Sequence, residues 1–254
     1  MSTDEPELPA AHAALWGVHE RPTKGPKRGL TIEQIVSTGV AVASADGLDA
    51  VSMNRLASEL GISAMALYRY VRSKDELLEL MVDTALGEIM IDASDPSGDW
   101  RARLESWAWA ELGAYRRHPW ALLVPIKAPP ITPSQITWLE LGLRCLTELN
   151  IPVYERISVV LMITNYTRSW ATLSGTLELA MRSGDAAALA RFANYGGMLR
   201  RLADRSDFPA LYEVIDAGVF EEEEEDYDLD LDYDFRFGLA RILDGLAAYV
   251  TSRA

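Results

Sequence analysis

The stretch Val51–Lys74, VSMNRLASELGISAMALYRYVRSK, restricts the architecture more than any other part of the chain. Ser52 suits a helix N-cap, and Met53, Leu56, Ala57 and Leu60 recur at helical spacing. Gly61 supplies the left-handed residue that ends a helix. Ser63 then caps a second short helix whose inward positions are Leu67 and Val71. Two short helices joined by a tight glycine turn make a helix-turn-helix. The second helix has Ala64, Met65, Ala66, Tyr68, Arg69 and Tyr70 on its other faces. Small residues, two tyrosines and an arginine can approach a DNA groove closely without repelling phosphate.

Three short phrases carry a family resemblance: Leu60-Gly61-Ile62-Ser63, Leu67-Tyr68-Arg69-Tyr70-Val71 and Lys74-Asp75-Glu76-Leu77. At these residues the chain resembles the tetracycline-repressor family of transcription regulators, over about Thr31 to Met90. The resemblance implies an all-α fold, with an N-terminal helix-turn-helix head and a C-terminal helical domain for ligand binding and dimerisation. It divides the chain into a flexible basic arm (1–29), the DNA-binding head (30–91) and the ligand and dimer domain (92–254), with an acidic loop at 221–234. It implies a ligand-responsive regulator, most simply a repressor that a small molecule releases from double-stranded operator DNA.

Within the head, Asn54 matches a position that reaches bases in the tetracycline repressor, and Asn pairs naturally with adenine. Arg69 can pair through two hydrogen bonds with guanine O6 and N7, or hold a phosphate. Met65 and Ala66 can touch thymine methyls, and Ala64 and Tyr70 share the same short helix. Tyr68 and Lys74 match positions that contact phosphate in the family. Lys27 and Arg28 close the segment Arg21–Gly29, which either lies in the minor groove or is a solvated tail. Because no helix of the head is cut, removal of Met1–Lys27 is expected to leave the fold intact. Leu15-Trp16 could dock this tail on the protein.

The net charge of -14 looks wrong for a DNA binder until it is located. Ten acids and no base fall in Glu221–Asp234, whereas Glu20–Lys74 holds eight bases against five acids. DNA binding requires only a local basic face. The acidic run reads as a solvated loop; a role in partner binding is the alternative.

Thr31 caps a helix that runs to Asp46-Gly47, and Ser73 caps the next, predicted to about Ile91. Helices are then predicted over Trp100–Arg117, Ser134–Leu149, Tyr154–Leu179, Ala186–Leu202 and Phe235–Val250, with Lys127–Pro133 a proline-rich loop. From Ile157 to Leu177 the only charge is Arg168. A helix so apolar around its circumference is buried on several sides, suiting a cavity on one flank and a partner on another. The resemblance places a homodimer interface on the last two long helices, where Gly238 and Gly245 permit close approach.

Aromatic walls with a few polar groups make small-molecule pockets. The candidate ligand residues are Trp107, Trp120, Trp138, Met162, Asn165, Tyr166 and Trp170, although ordinary core is the alternative for each tryptophan. The loop Lys127–Pro133 has no histidine, so a magnesium–tetracycline chelate is not expected. Cys145 is the only cysteine and there are three histidines, so no cofactor, structural zinc or disulfide is expected. No paired carboxylates or nucleophile–base set indicates an enzyme. The opening Met1–Pro9 is acidic and lacks a leader's apolar core, and no apolar run reaches membrane length. A cytoplasmic protein is expected.

Overall fold

The computed structural model describes residues 9–17, 30–88, 99–182, 184, 190–191, 194–220 and 231–253. Among these, the regular elements are helices: α1 (Ala10–Leu15), α2 (Ile32–Asp46), α3 (Met53–Glu59), α4 (Ala64–Leu67) and α5 (Lys74–Gly87). There follow α6 (Trp100–Arg117), α7 (Pro133–Arg144), α8 (Val153–Arg182), α9 (Tyr195–Leu202), α10 (Pro209–Asp216) and α11 (Leu231–Thr251). Short 3-10 turns occupy Leu48–Ala50 and Pro119–Leu123. The chain forms two compact units, one of residues 1–172 and 238–254 and the other of 173–237.

Hydroxyl caps set where the first helices begin. Thr31 and Gln34 form a reciprocal capping box on α2. Ser52, Ser63 and Ser73 accept from Arg55, Ala66 and Glu76 backbone N–H groups, fixing α3, α4 and α5. Each such cap contributes about 1 kcal/mol. Gly61, at φ +67°, closes α3, and the Ile62 N–H reaches back to the Ala57 carbonyl at 3.0 Å. That left-handed turn lets α4 leave α3 at a new angle. Beneath the pair, Ile35 and Val36 of α2, Leu56 of α3, Leu67 of α4, and Leu77 and Met81 of α5 form a fully buried core.

α5 also packs against α6 and α7. Its buried Asp83 accepts from the Ser134 N–H at 2.8 Å, the Gln135 N–H at 3.1 Å and the Ser134 hydroxyl at 3.1 Å. Thr132, at the cap position of α7, makes no side-chain cap bond. A carboxylate from α5 therefore supplies the anion that the N-terminus of α7 favours. α8 and α11 run antiparallel: the Tyr249 hydroxyl meets Glu155 Oε2 at 2.5 Å, and Tyr166 lies against Gly238. In the second unit, the Tyr212 hydroxyl donates to the Ala203 carbonyl, tying α10 to the end of α9.

Several boundaries differ from those predicted. α11 starts at Leu231, so Leu231–Asp234 are helical rather than loop, with Asp232 and Asp234 in the first turn, where acids suit the helix dipole. Residues 221–230 lie outside the described residues. α7 stops at Arg144, and Cys145–Asn150 form turns. α5 is described to Gly87, and 89–91 fall outside the description. Of the helix predicted over Ala186–Leu202, α9 covers Tyr195–Leu202.

The largest correction concerns the arm. Residues 9–17 are docked, with Ala11, His12 and Ala13 buried and the Trp16 indole N–H donating to the Ile131 carbonyl at 2.8 Å. Lys27 and Arg28 lie outside the described residues. Truncation thus removes a docked helix. Deleting residues 1–17 is expected to cost about 1–2 kcal/mol through lost apolar burial. The thermal midpoint should fall by roughly 2–8 °C. An unchanged calorimetric midpoint would show that α1 contributes nothing to the fold.

Candidate functional site

Two places combine exposure, chemistry and position. The first is the face of α3, α4 and the start of α5. Met65 is 78% exposed, and Asn54, Tyr68, Arg69 and Lys74 are exposed beside it. Ala64, Ala66 and Tyr70 are half-buried. Arg69 and Lys74 make no ion pair among the described residues, so both keep their charge available. Arg55 differs, because Asp46 at 2.9 Å and Glu59 at 2.8 Å hold its guanidinium within the head. Leu67 and Val71 point inward, which turns the rest of α4 to solvent.

The second place is a cavity of about 550 Å³, within the range typical of small-molecule sites. From α5 it takes Glu76, Glu79, Val82 and Leu86. α6 gives Trp107, Glu111 and Tyr115, and α7 gives Gln135, Trp138 and Leu139. The stripe Val160, Thr164 and Arg168, spaced by four, faces it from α8. Pro9 and His12 of α1 also line it.

Trp107 and Trp138 stack with centroids 5.2 Å apart and planes 22° from parallel. The Trp107 indole N–H donates to the Trp138 carbonyl at 3.2 Å. Against this apolar wall stands a polar chain. Arg168 donates to the Tyr115 hydroxyl at 2.8 Å and lies over the Tyr115 ring. The Tyr115 hydroxyl donates weakly to Glu111 Oε1 at 3.4 Å. Burial pushes the Glu111 carboxyl up to about 7, against the opposing pull of Arg168, Tyr115 and Thr164. Burial likewise raises the Tyr115 phenol. The folded chain thus holds the Glu111 proton more tightly than the unfolded chain does. The stability this gives is present at acid pH and is lost as pH rises through about 7.

Of the seven predicted ligand residues, the cavity brings together Trp107 and Trp138. The other five do not line it. Trp120 is buried with its ring edge-on to His118. Met162 and Asn165 lie on the exposed face of α8, out of register with the Val160–Arg168 stripe. Tyr166 is turned onto Gly238, and Trp170 is half-buried away from the cavity. Glu111, Tyr115, His12, Glu76 and Glu79 were missed. Arg168 carried a usable signal: a lone charge on an otherwise apolar helix requires a partner, and Glu111 and Tyr115 stand one helical turn apart.

Among the described residues no helix is long and apolar enough to cross a membrane. None of their His, Cys, Asp and Glu clusters is placed to hold a metal ion.

The family model described as "Bacterial regulatory proteins, tetR family" matches residues 35–81. That described as "Tetracyclin repressor-like, C-terminal domain" matches residues 92–250. The HTH-type transcriptional repressor DrrR1 of Streptomyces coeruleorubidus is 35% identical over 242 residues, which span 94% of this chain and 85% of that protein. The crystal structure of apo ActR from Streptomyces coelicolor aligns with a TM-score of 0.70 at 26% identity, covering 90% of this chain and 100% of that one. ActR in complex with actinorhodin shares the fold at a TM-score of 0.70 and 24% identity, covering 88% and 99% of the two chains.

Proposed function

The chain belongs to the tetR family of bacterial regulatory proteins, and from that membership we propose how its head and its cavity work together. It is a ligand-responsive DNA-binding transcriptional repressor and acts by binding rather than by catalysis. The DNA-binding domain is residues 30–91, and the ligand and dimer domain is 92–254. The reading is carried by α5. Its first residue, Lys74, lies on the exposed face of the head, and the same helix lines the cavity from its first turn to its last through Glu76, Glu79, Val82 and Leu86. A ligand that shifts those turns moves the helix on which the head is mounted.

On this reading α4 enters the major groove. Arg69 and Asn54 read base edges, Met65 and Ala66 meet thymine methyls, and Ala64 and Tyr70 complete the surface. Tyr68 and Lys74 hold phosphate, and Lys27 and Arg28 extend the contact from the arm. Two heads of a homodimer, built on α8 and α11, span successive grooves about 34 Å apart. ActR, whose fold this chain shares, is known in complex with actinorhodin, which supports a small-molecule effector here. Ligand binding favours a head spacing that no longer fits the operator, and the dimer leaves. The protein works in the cytoplasm, where its DNA is.

Selection of genomic fragments by the purified protein, followed by footprinting, tests the reading. A short palindromic site should emerge, and failure to enrich any sequence would reject it. Within that site, Arg69→Ala is expected to cost about 1–3 kcal/mol and to relax preference at one base step per half-site. Lys74→Ala should weaken all sequences alike and reduce the salt slope by about one. If Lys74→Ala changed the preferred sequence, its assignment to phosphate would be wrong.

A further inference from the structure

We propose that the cavity selects an aromatic effector carrying a protonated amine, and that Glu111 is the residue that binds the amine. The inference deepens the regulatory reading and rests on it only for the purpose of the ligand. Glu111 is 2% exposed yet forms part of the cavity wall. Its Oε1 has the long contact from Tyr115. Its Oε2 is buried and takes no well-formed hydrogen bond. A buried acceptor left open in this way is costly unless a proton or a ligand fills it.

The open acceptors, set among the remaining charges, give the sign of the ligand. Arg168 donates to the neutral Tyr115 hydroxyl and lies over its ring, and its charge also acts on Glu111. Lys127 is paired with Asp75 at 2.7 Å. Across the cavity, Glu76 Oε1 is also buried without a hydrogen bond, with His12 Nδ1 3.7 Å away. His12 Nε2 stands 3.1 Å from Glu79. Setting aside the Asp75–Lys127 pair, three carboxyls, Glu76, Glu79 and Glu111, face His12 and two guanidiniums, Arg168 and the exposed Arg72 at the rim. An anion would bring no donor to the two open acceptors, Glu111 Oε2 and Glu76 Oε1. A cation would meet open acceptors, with Trp107, Trp138 and Tyr115 supplying aromatic surface.

An ammonium needs Glu111 ionised, so binding should strengthen as the proton leaves. Tyr115 of α6 and Thr164 and Arg168 of α8 face Glu111 directly. The other titratable or charged groups of the cavity are His12, Arg72, Asp75, Glu76, Glu79 and Lys127. The Glu111 variant separates the contribution of Glu111 from theirs.

The test is a fluorescence titration of the full-length protein, without DNA, using 1-pyrenemethylamine and 1-pyrenecarboxylate. Both have one planar skeleton, and the amine stays cationic across the range used. The amine is expected to bind, and to bind roughly tenfold more tightly at about pH 8 than at about pH 6, as a carboxyl titrating near 7 requires. The carboxylate should bind at least about tenfold more weakly, one opposed charge contact being worth that much. Glu111→Gln, nearly isosteric, should weaken the amine at least about tenfold and flatten the pH profile. Unchanged binding to a folded Glu111→Gln protein would overturn the proposal. If that variant does not fold, the wild-type pair decides: no amine binding, a pH-independent amine, or tighter binding of the carboxylate would each overturn it. Operator selection is a separate readout, so failure here leaves the DNA-binding reading standing.

Discussion

Trp107→Ala is expected to cost about 3–5 kcal/mol of folding stability, the range for truncating a fully buried aromatic side chain. Trp107 is 1% exposed, and its indole fills the space between α6 and α7. The fit is close: a Cβ added at Gly142 of α7 would lie 3.0 Å from its ring. An alanine there would require the indole to give way by a few tenths of an ångström. Truncation would also leave the Trp138 carbonyl without its donor. The new void would open into the existing cavity, so the surrounding helices gain little by closing over it. Urea denaturation, following the midpoint and the slope together, measures the loss. A loss below about 1 kcal/mol would show that Trp107 is a mobile cavity lining rather than a packed wall.

The head was legible because local chemistry determines it. Thr31, Ser52, Ser63 and Ser73 each cap the helix that begins beside them, and Gly61 takes the positive φ that its turn requires. These signals depend on neighbours within five residues, so a sequence displays them directly. The cavity was only partly legible because its walls come from five helices. Trp107 and Trp138 could be found by residue type alone. Glu111 could not, since an acid within Trp100–Arg117 reads as a solvated face until α8 is known to lie over it. Arg168 announced a buried partner without naming it. Met162 and Asn165 failed for a rotational reason: they share α8 with the lining residues but point about 100–200° away from the Val160–Thr164–Arg168 stripe. The docking of α1 depended on contacts with residues far along the chain, Glu76, Glu79 and Ile131, which no local pattern encodes.

If the dimer is built on α8 and α11 as proposed, Gly245→Leu is expected to weaken operator binding by about 10²–10⁴-fold without touching the head, because it separates the two heads. On α8, Ile157 and Met162 expose apolar side chains, and Leu161, 53% exposed, also borders the cavity. On α11, Gly245 and Ala248 are exposed on the face that also carries Arg241 and Asp244. The two helices are already held together within the chain by Tyr166 on Gly238 and Tyr249 on Glu155. The outward apolar side chains of this pair are what the proposed second copy would cover. The two glycines separate the two roles. A Cβ at Gly238 would sit 2.2 Å from the Tyr166 hydroxyl and 2.7 Å from its Cζ, so substitution there disturbs the monomer. A Cβ at Gly245 meets nothing within 4 Å, so leucine there leaves the chain's own packing alone. Replacing an exposed helical glycine should even favour the helix by about 0.5–1 kcal/mol. The variant should consequently sediment as monomer at concentrations where the parent is dimeric, while its helical content is undiminished. A monomer holds one half-site at a time and loses the gain from the second, which is the source of the expected fall in affinity. Sedimentation velocity together with operator titration distinguishes the outcomes. A Gly245→Leu protein that remains dimeric and binds its operator as the parent does would remove α11 from the interface and return that role to α8 alone.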